Sequence, residues 1–125
     1  MTHLFLVALG GAIGSVLRYL VGLGTLRSFG PAFPWGTLTV NITGSFLIGF
    51  MSEAIMRKFG GSPEMRVFLI TGILGGYTTF SSFSLDAIAL LERGETMPAM
   101  LYVGSSVILS GLAVVAGLAL MRAMV

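Results

Sequence analysis

GILGGYTTFSSFSLD, residues 72–86, interrupts an apolar run with three glycines, six hydroxyl side chains, two phenylalanines and an acid. What the interruption means depends on the solvent around it. Of the whole chain, 55% is hydrophobic and 10% charged, far below the roughly 25% charge of an ordinary soluble domain. Such a composition marks an integral membrane protein. In hydrocarbon, backbone groups released from a helix are tolerated only where they are buried in protein or line a wet cavity. Gly75 and Gly76 weaken the helix, and Tyr77, Thr78 and Thr79 continue it poorly. Something polar is therefore expected at the break.

A membrane-spanning helix takes about 20 largely apolar residues, and apolar runs cover residues about 4–24, 35–56, 67–91 and 98–121. They give a single all-α transmembrane domain, residues 1–125, of four helices with the third broken near the midplane. Clusters of Gly, Pro and charge punctuate the runs: Gly30, Pro31 and Pro34, then RKFGGSPEMR at 57–66, then ERGETMP at 92–98. The first run lacks a basic leader and is too long for a signal peptide, so it reads as retained. Trp35, Tyr19 and Tyr102 fall near span ends, where amphipathic rings sit among lipid headgroups. The absence of cysteine removes disulfides and thiolate metal sites, and a net charge of +2 is too small and dispersed for a nucleic-acid partner. Membrane lipid is the expected surrounding.

Four spans place Arg57, Lys58, Arg66 and Arg122 on one side, against Arg27 and Arg93, with Arg18 if it snorkels outward, on the other. Orientation follows the Lys/Arg asymmetry of short loops, so this near balance permits both insertions. A chain that inserts both ways can pair with its inverted copy, an antiparallel homodimer. Gly10 with Gly14, Gly11 with Ser15 and Ser45 with Gly49 recur at the four-residue spacing of close helix contacts.

Two polar stripes need partners. Thr37, Asn41 and Ser45 lie along one face of the second span, and Tyr102, Ser106 and Ser110 repeat the spacing in the fourth. A buried amide left unpaired costs about 2–7 kcal/mol, so Asn41 must meet another helix, water or a permeating species. Interhelical bonding accounts for either stripe alone; two stripes beside a broken helix favour a path. The stripes hold hydroxyls and an amide but no carboxylate or histidine, an inventory of neutral donors that suits an anion. A cation path would call for acids within the spans. Arg18 is the basic residue well inside a span and a candidate vestibule charge; Glu53 reads as a solvated end charge. Phe80 and Phe83, interleaved with Ser81, Ser82 and Ser84, offer ring edges, which are electropositive. Carbonyls freed at the break are hard oxygen ligands that would suit an alkali cation.

GGAIGSVLRY (10–19), WGTLTVNITGSFLIG (35–49) and GILGGYTTFSSFS (72–84) together resemble the small bacterial fluoride channels of the Fluc family, also called CrcB, across nearly the whole chain. The resemblance implies a multi-pass protein of the bacterial inner membrane, assembled as an antiparallel dual-topology dimer with two fluoride pathways. It implies passive, selective export that confers fluoride resistance. By position, Asn41 would line the pathway and Phe80 and Phe83 would be its paired rings. Tyr102, Ser106 and Ser110 would form a polar track, with Thr37 and Arg18 at the entrance, while Ser81 and Ser84 join the pathway set. Gly75 and Thr78 would offer backbone carbonyls to a structural sodium ion at the dimer axis. Asp86 and Ser82 stand where members often carry Glu and Thr.

A proton-coupled small multidrug exporter is the alternative, since such proteins also use four short spans and can adopt dual topology. They need a titratable carboxylate in the first span, and residues 4–24 hold none. A noncatalytic assembly subunit would tolerate Asn41→Ala. An enzyme is disfavoured: His3 is the only histidine, no nucleophile–base pair is evident, and no phosphate loop follows the glycines.

Overall fold

The structure is a computed structural model that describes residues 1–124. Helices α1 (Thr2–Phe29) and α2 (Trp35–Lys58) are continuous. The third span starts as a single turn, α3 (Pro63–Met65), widens into a π-helical stretch, Arg66–Leu74, and tightens in α4 (Gly75–Tyr77). It then breaks and resumes as α5 (Ser81–Glu92) before α6 (Thr96–Met124). Among the described residues four segments, Thr2–Phe29, Trp35–Lys58, Pro63–Glu92 and Thr96–Met124, are long and apolar enough to cross a membrane.

Each segment outruns its apolar stretch because polar end residues suit helix termini. Arg27 in the last turn of α1, and Arg57 and Lys58 in that of α2, lie where the helix dipole favours cations. Gly30, at φ 77°, ends α1 in the left-handed region that glycine adopts without strain. Ser62 starts the third span: its hydroxyl accepts from the Met65 N–H at 3.3 Å, and Pro63 occupies the first helical position.

Glycines set the packing of α1 on the third span. A methyl group on Gly10 would stand 2.6 Å from the Phe68 carbonyl oxygen, and one on Gly76 would stand 2.7 Å from that of Gly11. At Gly14 it would collide with the Ile73 carbonyl. The two helices therefore touch backbone to backbone, as small residues allow where lipid supplies no hydrophobic drive. This changes the expected role of the double glycine. Gly75 keeps helical angles, φ −62° and ψ −38°, and the chain leaves the helix only at Thr78, φ −85° and ψ 158°.

On the third span α1 packs mainly against the first half, and α5 leans mainly on α6. There Leu38, Ala87, Leu90 and Ala99 close around Tyr102, whose side chain is fully buried.

Candidate functional site

Breaking a helix strands its backbone groups, and here named side chains take them up. The Asn41 amide donates to the Thr79 carbonyl at 2.9 Å and accepts from the Thr79 N–H at 2.9 Å. One side chain thus replaces both helical partners of that peptide. The Thr79 hydroxyl in turn accepts from the Ser82 N–H at 3.1 Å, covering an amide that opens α5. Arg18 Nε donates to the Gly76 carbonyl at 3.1 Å, so a cation sits at the negative end of the first half-helix. Two acceptors are released as a result. The Thr79 N–H, which a continuous helix would give to the Gly75 carbonyl, goes to Asn41, and the Ser82 N–H goes to the Thr79 hydroxyl instead of the Thr78 carbonyl.

Two cavities flank the break. The outer one, about 350 Å³, is walled by α1, the 30–34 loop, α2 and α5, and carries Arg18, Thr37, Ser82, Asp86 and Arg93. The inner one, about 280 Å³, is lined by Asn41 and Ser45 from α2, Phe80 and Phe83, and Ser106 and Ser110 from α6. Thr79 faces both cavities, so its peptide, pinned by Asn41, stands at the boundary.

No charged side chain lines the inner cavity. The hydroxyls of Ser106 and Ser110 are buried there without a hydrogen-bond partner among the described residues. An uncompensated buried hydroxyl costs about 1–3 kcal/mol, so each calls for a partner that the described residues do not supply. The Asn41 amide spends one N–H on Thr79 and retains a second. The Phe80 and Phe83 rings lie 5.8 Å apart, tilted by 47°. Phe80 is 78% exposed, so the inner cavity is open on that side.

The sequence-derived residues thus divide. Asn41, Phe80, Phe83, Ser106 and Ser110 meet in the inner cavity, while Thr37 and Arg18 meet in the outer one. Tyr102 lines neither: its ring is in the core and its hydroxyl donates to Asp86 Oδ2 at 3.1 Å. Ser84 bonds back to the Phe80 carbonyl at 3.0 Å, and Ser81 is exposed outside both cavities. Gly75 is exposed on the protomer surface, and Thr78 lines the inner cavity. Thr79 and Ser45 also line the inner cavity, although the resemblance assigned neither to the pathway. Ser45 was visible as the next turn of the Asn41 stripe; Thr79 had no signal beyond its place in the break.

Away from the cavities, Glu53 receives Arg57 from its own helix and Arg122 Nε, at 3.1 Å, from α6. These ion pairs tie the ends of α2 and α6 together. No group of three or more His, Cys, Asp or Glu that could hold a metal is found among the described residues.

A family described as CrcB-like protein, Camphor Resistance (CrcB), matches residues 5–118. The chain is 74% identical over 125 residues to a Rhizobium meliloti (strain 1021) protein named fluoride-specific ion channel FluC, covering 100% of both chains. It is 59% identical over 122 residues to a FluC of Agrobacterium fabrum, covering 98% of each. It is 52% identical over 121 residues to FluC 1 of Nitrobacter hamburgensis, covering 97% of this chain and 96% of that one.

Proposed function

Because the chain belongs to the CrcB family, whose members include proteins named fluoride-specific ion channels, we propose that it is a multi-pass inner-membrane channel that conducts fluoride passively and confers fluoride resistance. It is no enzyme. What carries this reading in the molecule is the inner cavity: neutral donors, two of them buried and unpartnered, beneath an outer cavity that holds Arg18. Fluoride binds water tightly, so a path must replace hydration with short donor contacts. The Ser106 and Ser110 hydroxyls and the free N–H of Asn41 would supply them, and the edges of Phe80 and Phe83 would add weak attraction. Conduction also demands that no site hold the ion too firmly; neutral donors meet that demand, and Arg18 gathers anions from the outer cavity with its charge softened by the Gly76 carbonyl. Tyr102 would act from behind the wall by orienting Asp86, and Thr37 would mark the entrance.

The working unit would be an antiparallel homodimer with two pathways. Phe80 at the open side of the inner cavity supports a second copy as its missing wall. So does a polar patch on the protomer surface, where exposed Thr43 shares a 2.8 Å hydrogen bond with Tyr77 beside exposed Gly75. Lipid cannot satisfy such groups. The same patch bears on sodium. The Gly75 and Thr78 carbonyls, released at the break, are neutral hard oxygens that fit an alkali cation, and two chains would contribute four. A sodium ion held there would bind the protomers together. Exchanging sodium for a large organic cation should then weaken the dimer, and an unchanged dimer fraction by size-exclusion chromatography would remove the ion from the scheme.

A proton-coupled exporter finds little to work with. Residues 2–29 contain no acid, and Asp86 is engaged by Tyr102. Proteoliposomes loaded with fluoride or chloride decide the matter through electrode-detected efflux. Rapid fluoride release with chloride retained is expected; equal release of both halides would refute selectivity.

A further inference from the structure

We infer that Phe33, in the loop between α1 and α2, is a specificity-determining positioning residue that sets the inner-cavity ring of Phe83 through Tyr102; this rests on the fluoride-channel reading. Phe83 sits on α5, the half-helix that leans mainly on α6 rather than on α1. Its ring packs on Tyr102 at a centroid distance of 5.2 Å, tilted by 45°, so the position of Tyr102 decides where Phe83 can stand. Phe33 also meets Tyr102, edge-on at 5.5 Å and 88°, and is itself backed by Trp35 at 4.7 Å. The rings form a continuous file from the membrane edge to the ring pair of the inner cavity.

The loop that carries Phe33 is built to hold it. Pro31 and Pro34 fix the local backbone. Arg93, at the end of α5, donates from Nη2 to the Ala32 carbonyl at 3.1 Å while paired with Glu95 at 2.8 Å. The α1–α2 loop is therefore tied to the same half-helix at two places, directly at its C-terminus through Arg93 and, through Tyr102, near its start at Phe83. Phe33 also forms part of the outer-cavity wall. It touches no inner-cavity donor, yet it is placed to fix the gap between the Phe83 edge and the unpartnered hydroxyls of α6. A small anion needs that gap short and a larger halide needs it wider, so loosening Phe33 should relax discrimination before it abolishes flux.

The test uses the full chain, assembled as it exists in membranes, with fluoride and chloride efflux measured from proteoliposomes and the assembled fraction measured beside them. Equal halide fluxes in the parent would defeat the channel reading itself, independently of Phe33. Given a selective parent, Phe33→Ala is expected to lower the fluoride-to-chloride flux ratio about fivefold, the factor of one aromatic contact, with assembly kept. Phe33→Tyr, which retains the ring, is expected to keep the ratio. An unchanged ratio in Phe33→Ala overturns the inference, as does a flux loss that merely follows a loss of assembled protein. Should Phe33→Ala fail to assemble, Arg93→Gln frees the loop at Ala32 with every ring in place. A fall in the ratio there supports the inference, and a parental ratio overturns it.

Discussion

The two halves of the third span are held by opposite means. Pro63–Tyr77 lies backbone to backbone on α1, where Gly10, Gly14 and Gly76 leave no room for a side chain. Ser81–Glu92 has no such embrace; it is positioned by Tyr102, by the Arg93 link to the 30–34 loop and by the hydrogen bonds of Thr79. Backbone contact leaves a helix almost no freedom to shift, whereas side-chain contact leaves a position that can be tuned. The freed Gly75 and Thr78 carbonyls are released where the rigid half ends, and both phenylalanines stand where the tunable half begins. In the proposed channel, anchoring and selectivity would thereby be separated within one span.

The largest expected effect comes from breaking the rigid half. In Gly14→Leu a side chain must displace the Ile73 carbonyl, and overpacking of this kind costs about 1–3 kcal/mol or more. Because the obstacle is backbone, with no flexible side-chain end to swing aside, the upper part of that range applies. Loss of folded, assembled protein is expected on size-exclusion chromatography. Full assembly would show that α1 can back away, and the contrast between the halves would dissolve.

Asn41 sits on the seam, and its substitution should have a smaller effect of mixed kind. Asn41→Ala strands the Thr79 N–H and carbonyl, each unsatisfied group costing about 1–3 kcal/mol where water cannot replace the partner. Both cavities border that peptide, so water can reach it and the cost falls toward the lower bound. Folded protein should survive with a reduced melting temperature, while fluoride efflux drops by about a factor of ten or more, the loss of roughly 1.4 kcal/mol in the path. Flux per unit of assembled protein equal to the parent's would reduce Asn41 to a structural pin.

This seam also explains what could be read in the chain and what could not. Length and hydropathy suffice for four spans, because a bilayer requires unbroken apolar runs. A break in the third was legible from Gly75 to Thr79, but its location was displaced toward the glycines. A glycine that loosens a helix and a glycine that admits another backbone look the same in one dimension, and Gly11 is remote from Gly76 in sequence. Asn41, Ser106 and Ser110 were identifiable because helical spacing fixes a face. Ser81 and Ser84 lie outside both cavities in the single chain, and spacing along the sequence carries no phase for them because the break at Thr78–Phe80 interrupts the helical count. The Tyr102–Asp86 bond joins two spans and left no local trace.

The smallest expected effect lies in the wall opposite the tunable half, and it separates conduction from packing most cleanly. Ser105 and Ser106 are neighbours on α6, yet Ser105 bonds back to the Tyr102 carbonyl at 3.3 Å whereas Ser106 faces the inner cavity unpartnered. Removing an unpartnered buried hydroxyl takes away a desolvation cost of about 1–3 kcal/mol, so Ser106→Ala and Ser110→Ala should leave stability unchanged or slightly raised. A dehydrated fluoride would lose a donor in the same step, and flux should fall several-fold, a change of about 1 kcal/mol. Ser105→Ala should leave flux at the parental level. The opposite signs of the stability and flux changes at Ser106 are what a packing role cannot produce. If Ser106→Ala destabilises the protein while flux per unit of assembled protein holds, or if Ser105→Ala lowers flux equally, the orphaned hydroxyls are not on the path.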